Sequence, residues 1–302
     1  GGLAYGGLTL IPGAEVEVLH RGKPVHLLCY FRGADGLRAF AGWQAGRVNN
    51  TYLSTQRHHG TTAADVVEAA AERGGVVIPA HIFTPHKATL AAAPAVSEVI
   101  PPELWAHVPA VELGLSADTA LADELPELSR FPFVTNSDAH SLGRIGREYN
   151  QLLLAEPSFD EWLKALRGEG GRRILANYGL DPRLGKYHRT FCLECGTRVD
   201  GDPPVLRCLA DPSHRVVLGV LDRIRHYAAW QEGRLAWEAR VRPPYVHQVP
   251  LSFGPGLGRQ GLERLLAAFG TEMAVLHAAS EHDLAEVVGP KLARRVVLAR
   301  EG

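Results

Sequence analysis

The chain has 302 residues, 46% of them hydrophobic and 22% charged, and a formal net charge of −1. Its mean hydropathy is −0.07, and no run of about 18 apolar residues occurs, which excludes a membrane-spanning helix. The near-zero charge is a sum of unlike halves: residues 1–171 carry 13 Lys/Arg against 19 Asp/Glu, and residues 172–302 carry 19 against 14. Acidic clusters suit hard cations and basic surfaces suit phosphate backbones, so the overall balance does not exclude nucleic acid. Met273 is the single methionine, and the chain opens on Gly1-Gly2-Leu3-Ala4-Tyr5. It therefore reads as processed, or as a fragment lacking its first elements. With no basic-then-apolar leader, a cytoplasmic protein is expected. The length predicts one large domain and a smaller one.

In chain order, Leu8 to Val18 reads as two strand pieces around a turn, and Val25 to Phe31 as a strongly apolar strand. An Ala/Val/Glu helix from Asp65 to Arg73 stops at Gly74-Gly75, and Val76 to His81 follows as a buried strand. Ala110 to Gly114 and Phe133 to Asp138 are apolar runs that end in polar residues. Strands alternating with helices at this spacing predict an α/β fold with a parallel sheet, open or closed into a barrel, and chemistry at the strands' carboxyl ends. Beyond Gly168 come Gly/Arg/Pro loops, a cysteine-bearing segment, a polar helix from Val220 to about Gly233, an Arg242-Pro243-Pro244 linker and small helices.

Glu15, His26, His81, Asp138 and His140 each sit near the end of an apolar run. In Asp138-x-His140 a carboxylate and an imidazole lie two apart on an extended segment, so both point the same way. Carboxylates with neutral imidazoles suit Zn²⁺, Mn²⁺ or Fe²⁺, and metal pairs activate water and clamp phosphoryl oxygens. A single strand histidine such as His26 is more often a hydrogen-bonded core residue; the five together favour the metal reading.

Pro12 to Val18, Val25-His26-Leu27-Leu28, Ile78-Pro79-Ala80-His81 and Asn136-Ser137-Asp138-Ala139-His140-Ser141 resemble the later metal motifs of the PHP (polymerase and histidinol phosphatase) superfamily of phosphoesterases. The resemblance implies a distorted (β/α)₇ barrel with a cluster of up to three divalent ions (Zn²⁺, Mg²⁺ or Mn²⁺). In it Glu15 would bridge two ions, His26 and His81 would complete the second site, Asp138 would hold the first and His140 the third. The family's opening His-x-His and the Asp/His pair after it are absent here, so the barrel is expected to be incomplete at its N-terminus and only weakly loaded. His58-His59 reads as a surface or substrate-facing pair.

Three of the four cysteines fall within seventeen residues. Cys192-x-x-Cys195 is a zinc knuckle, Cys208 offers a third thiolate, and His214 is preferred over Asp211 as fourth ligand because imidazole binds zinc better. A structural zinc ribbon is expected, with Cys29 as inert core. Farther on, Phe253 to Leu266 has the form of a helix-hairpin-helix motif. The turn Gly256-Leu257-Gly258 would offer backbone N–H groups to a phosphate at a helix N-terminus, with Arg259 as a side-chain contact. A shorter copy at Val287 to Arg295 adds Lys291. Pro250 crowds the first helix of the motif, and a helical protein-interaction module is the alternative.

Barrel, ribbon and hairpins in this order, with Glu112 to Asp118, Gly143 to Asn150 and Gly185 to Arg189, resemble the endonuclease Q family. That resemblance implies a nuclease that hydrolyses duplex DNA on the 5′ side of uracil, hypoxanthine, xanthine or abasic sites, with the damaged nucleotide turned out of the stack. Asp138 and His140 would then act at the attacked phosphate, Arg144 and Arg147 would clamp its neighbour, and Ser116 would contact the flipped base. The expected domains are the phosphoesterase unit at 1–180, the ribbon and helix at 181–240, and the hairpin region at 241–302. The alternatives are a PHP phosphatase of small phosphomonoesters and a non-catalytic DNA-binding protein with a degenerate barrel.

Overall fold

The computed structural model describes residues 3–51, 55–251 and 256–301. Strands β1 (Leu3–Tyr5) and β2 (Leu8–Leu10) form a small hairpin ahead of β3 (Gly13–His20) and β4 (Lys23–Phe31). β3 and β4 pair antiparallel from Gly13 opposite Tyr30 to His20 opposite Lys23. The turn between them, Arg21-Gly22, has φ of 49° and 79°. Two central residues with positive φ match the right-handed strand twist, which fixes the register of the pair. Helices α1 (Ala34–Gln44) and α2 (Ala63–Ala71) follow, then β5 (Gly75–Pro79) on the far edge of β4. A capping box between Thr62 and Asp65 starts α2, and Gly74 at φ 69° lets the chain leave it.

Next come α3 (Thr89–Ala92), β6 (Val111–Glu112), α4 (Thr119–Ala122), β7 (Phe133–Val134), β8 (Tyr149–Leu153), α5 (Phe159–Arg167) and β9 (Arg173–Leu180). The ribbon strands β10 (Phe191–Cys192), β11 (Thr197–Arg198) and β12 (Val216–Val217) lead into α6 (Val220–Gln231) and β13 (Tyr245–Gln248). Four helices end the described chain: α7 (Arg259–Phe269), α8 (Glu272–His277), α9 (Glu281–Val288) and α10 (Pro290–Glu301). Among the described residues no helix is long and apolar enough to cross a membrane.

The chain is mixed α/β, as expected, but the parallel sheet is not what forms. β3, β4 and β5 are antiparallel, β6 and β7 are a short parallel pair, and β9 pairs antiparallel with β8 and parallel with β13. No closed barrel is present among the described residues. A two-residue hairpin between β3 and β4 permits only antiparallel pairing. β6 and β7 then stop after two residues, held by Val111 N–H to Pro132 O and Leu113 N–H to Val134 O, while Ile82 N–H to Glu112 O ties β6 to the segment after β5.

One core runs from Val16 and Leu27 through Phe83, Leu113 and Phe133 to Val220 and Ile224 of α6. The last four helices have their own, around Leu265, Val275, Leu284 and Val296. The Arg242-Pro243-Pro244 segment is pinned rather than a free linker. Arg242 Nη2 lies 2.7 Å from Asp123, and its guanidinium sits 3.6 Å from the centre of the Phe133 ring. β13 then joins β9, so a strand precedes the terminal helices.

Candidate metal centre and nucleic-acid surface

Glu15 and Glu17 lie two apart on β3 and therefore share one face of the sheet. The ladder sets His26 of β4 directly opposite Glu17, within reach of both carboxylates. His26 Nε2 lies within hydrogen-bond distance of Glu17 Oε2, at 3.1 Å. Its Nδ1 lies 2.5 Å from Glu15 Oε1. The atom is buried and has no hydrogen-bond partner. His81 Nε2 comes within 3.4 Å of the same Glu15 oxygen.

Glu15, His26 and His81 thus bring ligand atoms within 4.8 Å of one another. The orphaned His26 nitrogen and the Glu/His/His donor set fit a divalent ion. Burial opposes ionisation of Glu15, but the adjoining imidazoles of His26 and His81 outweigh it and hold the carboxyl below its usual range. His81 is likewise disfavoured as a cation by burial, yet Glu15 raises its pKa overall.

Asp138 and His140 stand at the rim of this cluster rather than inside it. Asp138 is 41% exposed by side chain and His140 81%, and their charged atoms lie 3.8 Å apart. The Asp138 charge still acts on His81 and Glu112. Two of the five candidate ligands, His81 and Asp138, have φ of 30° and 43°. Left-handed backbone at non-glycine residues is strained and clusters at functional sites. Gly114 is what admits the first: a Cβ there would lie 2.6 Å from His81 Cβ.

Glu112 supports His81 directly and the loop carrying Asp138 through Asn136, and spacing alone gave it no role. Its Oε2 accepts the His81 backbone N–H at 2.8 Å, and its Oε1 accepts from Asn136 Nδ2 at 2.6 Å. Asn136 in turn meets Asn150, which holds Thr135 N–H and Asn177. A buried polar chain therefore runs from β9 to the loop carrying Asp138. Burial pushes the Glu112 carboxyl up. Its sequence signal was a carboxylate closing the apolar run Ala110-Val111, the same signal that marked Asp138.

His58 corrects an expectation: it is buried at 2% exposure, bonded to Gln44 Nε2 at 3.1 Å and packed on Trp43. Only His59 is exposed. Apolar contact with Trp43 explains the inward turn. Arg147 pairs at 2.5 Å with buried Glu148, while Arg144 is exposed on a short 3-10 turn. Ser116 is half-buried in the loop after β6.

In the ribbon, Cys192, Cys195, Cys208 and His214 place their ligand atoms within 4.8 Å. Cys195 Sγ lies 3.7 Å from Cys208 Sγ and 3.4 Å from His214 Nδ1, and Cys192 Sγ lies 3.6 Å from that nitrogen. A tetrahedron with Zn–S of about 2.3 Å and Zn–N of about 2.0 Å has edges of roughly 3.5 to 3.8 Å. Asp211 sits 3.7 Å from His214 Nε2, behind the ring. It is placed to orient the imidazole, as a metal-bound histidine's other nitrogen requires. Neighbouring thiols push Cys195 up to about 12, whereas backbone N–H groups of Asp211 and Ala210 bring Cys208 down to about 6. Cys29 is fully buried, with its thiol pushed up by burial.

The first part of the hairpin motif, Phe253-Gly254-Pro255, lies outside the described residues. Gly256 has φ 82° and Gly258 precedes α7 as its N-cap. A Cβ on Gly256 would meet Arg295 Nη1 at 2.5 Å. Arg259 is exposed and pairs with Glu263 at 2.8 Å along the helix. In the second copy, α9 ends at Gly289 with φ 83°, and α10 begins at Pro290 with Lys291 exposed on its first turn.

Residues 120–169 match the family described as PHP-associated. The chain is 44% identical, over its whole length, to 76% of the uncharacterized protein YqxK of Bacillus subtilis. It is similar to the crystal structure of the lesion-specific endonuclease PfuEndoQ from Pyrococcus furiosus, with a TM-score of 0.81 and 31% identity over 99% of this chain and 75% of that one. A structure of endonuclease Q in complex with a 27-mer duplex bearing an abasic lesion at its active site matches with a TM-score of 0.82 and 30% identity, covering 99% and 76%. The chain belongs to the endonuclease Q family of the PHP superfamily.

Proposed function

We propose that the chain provides most of a metal-dependent DNA repair endonuclease that hydrolyses the phosphodiester 5′ to deaminated bases or abasic sites. The observation that carries this is the convergence of Glu15, His26 and His81 on one cation-sized position, beside Asp138 and within a fold similar to endonuclease Q on an abasic duplex. A divalent ion at that position supplies Lewis acidity toward a phosphodiester oxygen and a more acidic attacking water.

Glu15 would contribute charge that neutralises the ion, and Glu17 holds the His26 ring in place. From the rim, Asp138 and His140 would add ligands on the substrate side, with Zn²⁺, Mg²⁺ or Mn²⁺ as the working ions. Arg144 clamps a flanking phosphate, Arg147 holds the loop that carries it, and Ser116 contacts the extruded base. The unit at 1–180 does the chemistry, and the ribbon region 181–240 holds a structural Zn²⁺. The region 241–302 grips the duplex backbone through Gly256, Gly258, Arg259 and Lys291. Backbone contacts of this kind position the protein without reading sequence, which suits an enzyme directed by damage.

The test is nicking of duplexes carrying one uracil, hypoxanthine or abasic site, on this chain, an N-terminally extended chain and its Asp138→Ala variant. Deleting 248–302 separates the readings. A duplex nuclease loses activity, whereas a phosphatase of small phosphomonoesters keeps it.

A further inference from the structure

Beside the loop that follows His81, a cavity of about 320 Å³ opens between the body and the ribbon. Its wall includes Lys23, His86, Lys87, Arg223 and Tyr227, with prolines and the β12 valines behind them, and no carboxylate. Arg223 is 4% exposed. Its Nη2 donates to the carbonyl oxygens of Phe83 at 2.5 Å and Thr84 at 3.2 Å, while its Nε is buried with no acceptor. No acidic side chain pairs with it among the described residues. Burial brings its pKa down to about 10, so the guanidinium stays charged at neutral pH.

A buried cation without an anion is costly, by several kcal/mol before relaxation. Carbonyl oxygens repay part of that but carry no net charge. The neighbours do not supply the missing charge either. Lys23 Nζ donates to the Ala91 carbonyl at 3.2 Å, and Lys87, 3.3 Å from Glu17, shares that carboxylate with Arg57. Three cations, a histidine and a phenol therefore surround a space large enough for a phosphate with part of its ester attached. The guanidinium is held in one orientation through Nη2 by Phe83 and Thr84, and its Nε N–H is left without a protein acceptor.

We propose that this seam between body and ribbon is a phosphate-binding site, with Arg223 as its buried anchor and Lys23 at its rim. The phosphate is either a free anion or a group of a DNA backbone that runs past the ribbon. The second source rests on the nuclease reading and the first does not.

Thermal unfolding in inorganic phosphate, against chloride of equal ionic strength, tests the free anion. Binding of an undamaged duplex at several salt concentrations tests the backbone. Lys23→Gln and Arg223→Met are compared with the parent, with bound zinc and circular dichroism reporting the fold. Should Arg223→Met not fold, Lys23→Gln on the exposed rim still carries the test. A phosphate-specific rise in Tm, with affinity about 10-fold weaker in Lys23→Gln, assigns a free-anion site. No phosphate effect, but a duplex salt slope lower by about one in Lys23→Gln, assigns a backbone phosphate. Equal effects of phosphate and chloride, together with unchanged duplex binding in the folded variants, would overturn the proposal. The phosphate arm reads the site even if no duplex is ever nicked.

Discussion

Glu112 is the residue whose replacement tests the construction of the metal centre, because it touches neither substrate nor the proposed ion. Its two oxygens divide the work, one taking the His81 backbone N–H at 2.8 Å and the other the Asn136 amide at 2.6 Å. In Glu112→Gln only one oxygen remains, so one buried donor must face an amide NH₂. An unsatisfied buried donor costs about 1–3 kcal/mol, which sets the expected loss in urea unfolding. Relief of the buried carboxylate, whose pKa burial raises, trims that loss toward the lower end. The His81 backbone is already at φ 30°, so loss of its anchor lets the imidazole swing away from Glu15. Supporting residues of this kind change metal affinity by about 10- to 100-fold. Calorimetric titration with Mn²⁺, after the ribbon is loaded with zinc, reads this directly. Gly114→Ala should reproduce the affinity loss, since its Cβ would press His81 at 2.6 Å. Unchanged Mn²⁺ affinity in both variants would refute the claim that Glu112 and Gly114 set the position of His81.

Three further outcomes are expected. His58 is buried and brought from 6.5 down to about 4 by desolvation. Between those values the unfolded chain binds the proton and the folded one does not, so stability falls as pH drops from about 6.5 to 4, by at most ~3 kcal/mol. Urea midpoints across that range should flatten in His58→Gln; an identical pH slope in the variant would contradict this. Cys195→Ser should lower zinc content by one ion per chain and loosen the ribbon strands in hydrogen exchange. Full zinc retention would remove Cys195 from the ligand set. Arg259→Gln and Lys291→Gln should each lower the salt slope of duplex binding by about one, whereas unchanged slopes would take the hairpins off the DNA.

The sequence disclosed those groups whose partners are set by local spacing. Cys192-x-x-Cys195 with Cys208 and His214 needs only a ribbon turn to converge, and it does. Glu15, His26 and His81 were legible because each lies near the end of an apolar run, where a strand delivers a side chain to one rim. Strand direction was not legible. Apolar runs around β3, β4 and β5 look alike whether parallel or antiparallel, and the choice lay in the Arg21-Gly22 turn. Glu112 escaped because its partners are a backbone N–H and an amide on other loops. Glu17 escaped although Glu15-x-Glu17 already placed both on one strand face. Arg223 carries no local signal at all, since its meaning lies in the carboxylate it lacks.

The central claim is metal-dependent, lesion-directed cleavage, and one assay meets it directly. A 5′-labelled duplex with a single abasic site or uracil is incubated with Mg²⁺, Mn²⁺ or Zn²⁺, using this chain and its N-terminally extended form, each beside Asp138→Ala. The account predicts a single nick 5′ to the lesion that needs the divalent ion, spares the undamaged duplex and disappears in Asp138→Ala. Cleavage that persists in Asp138→Ala, or that ignores the lesion, would contradict it, as would the lack of any nick in both forms.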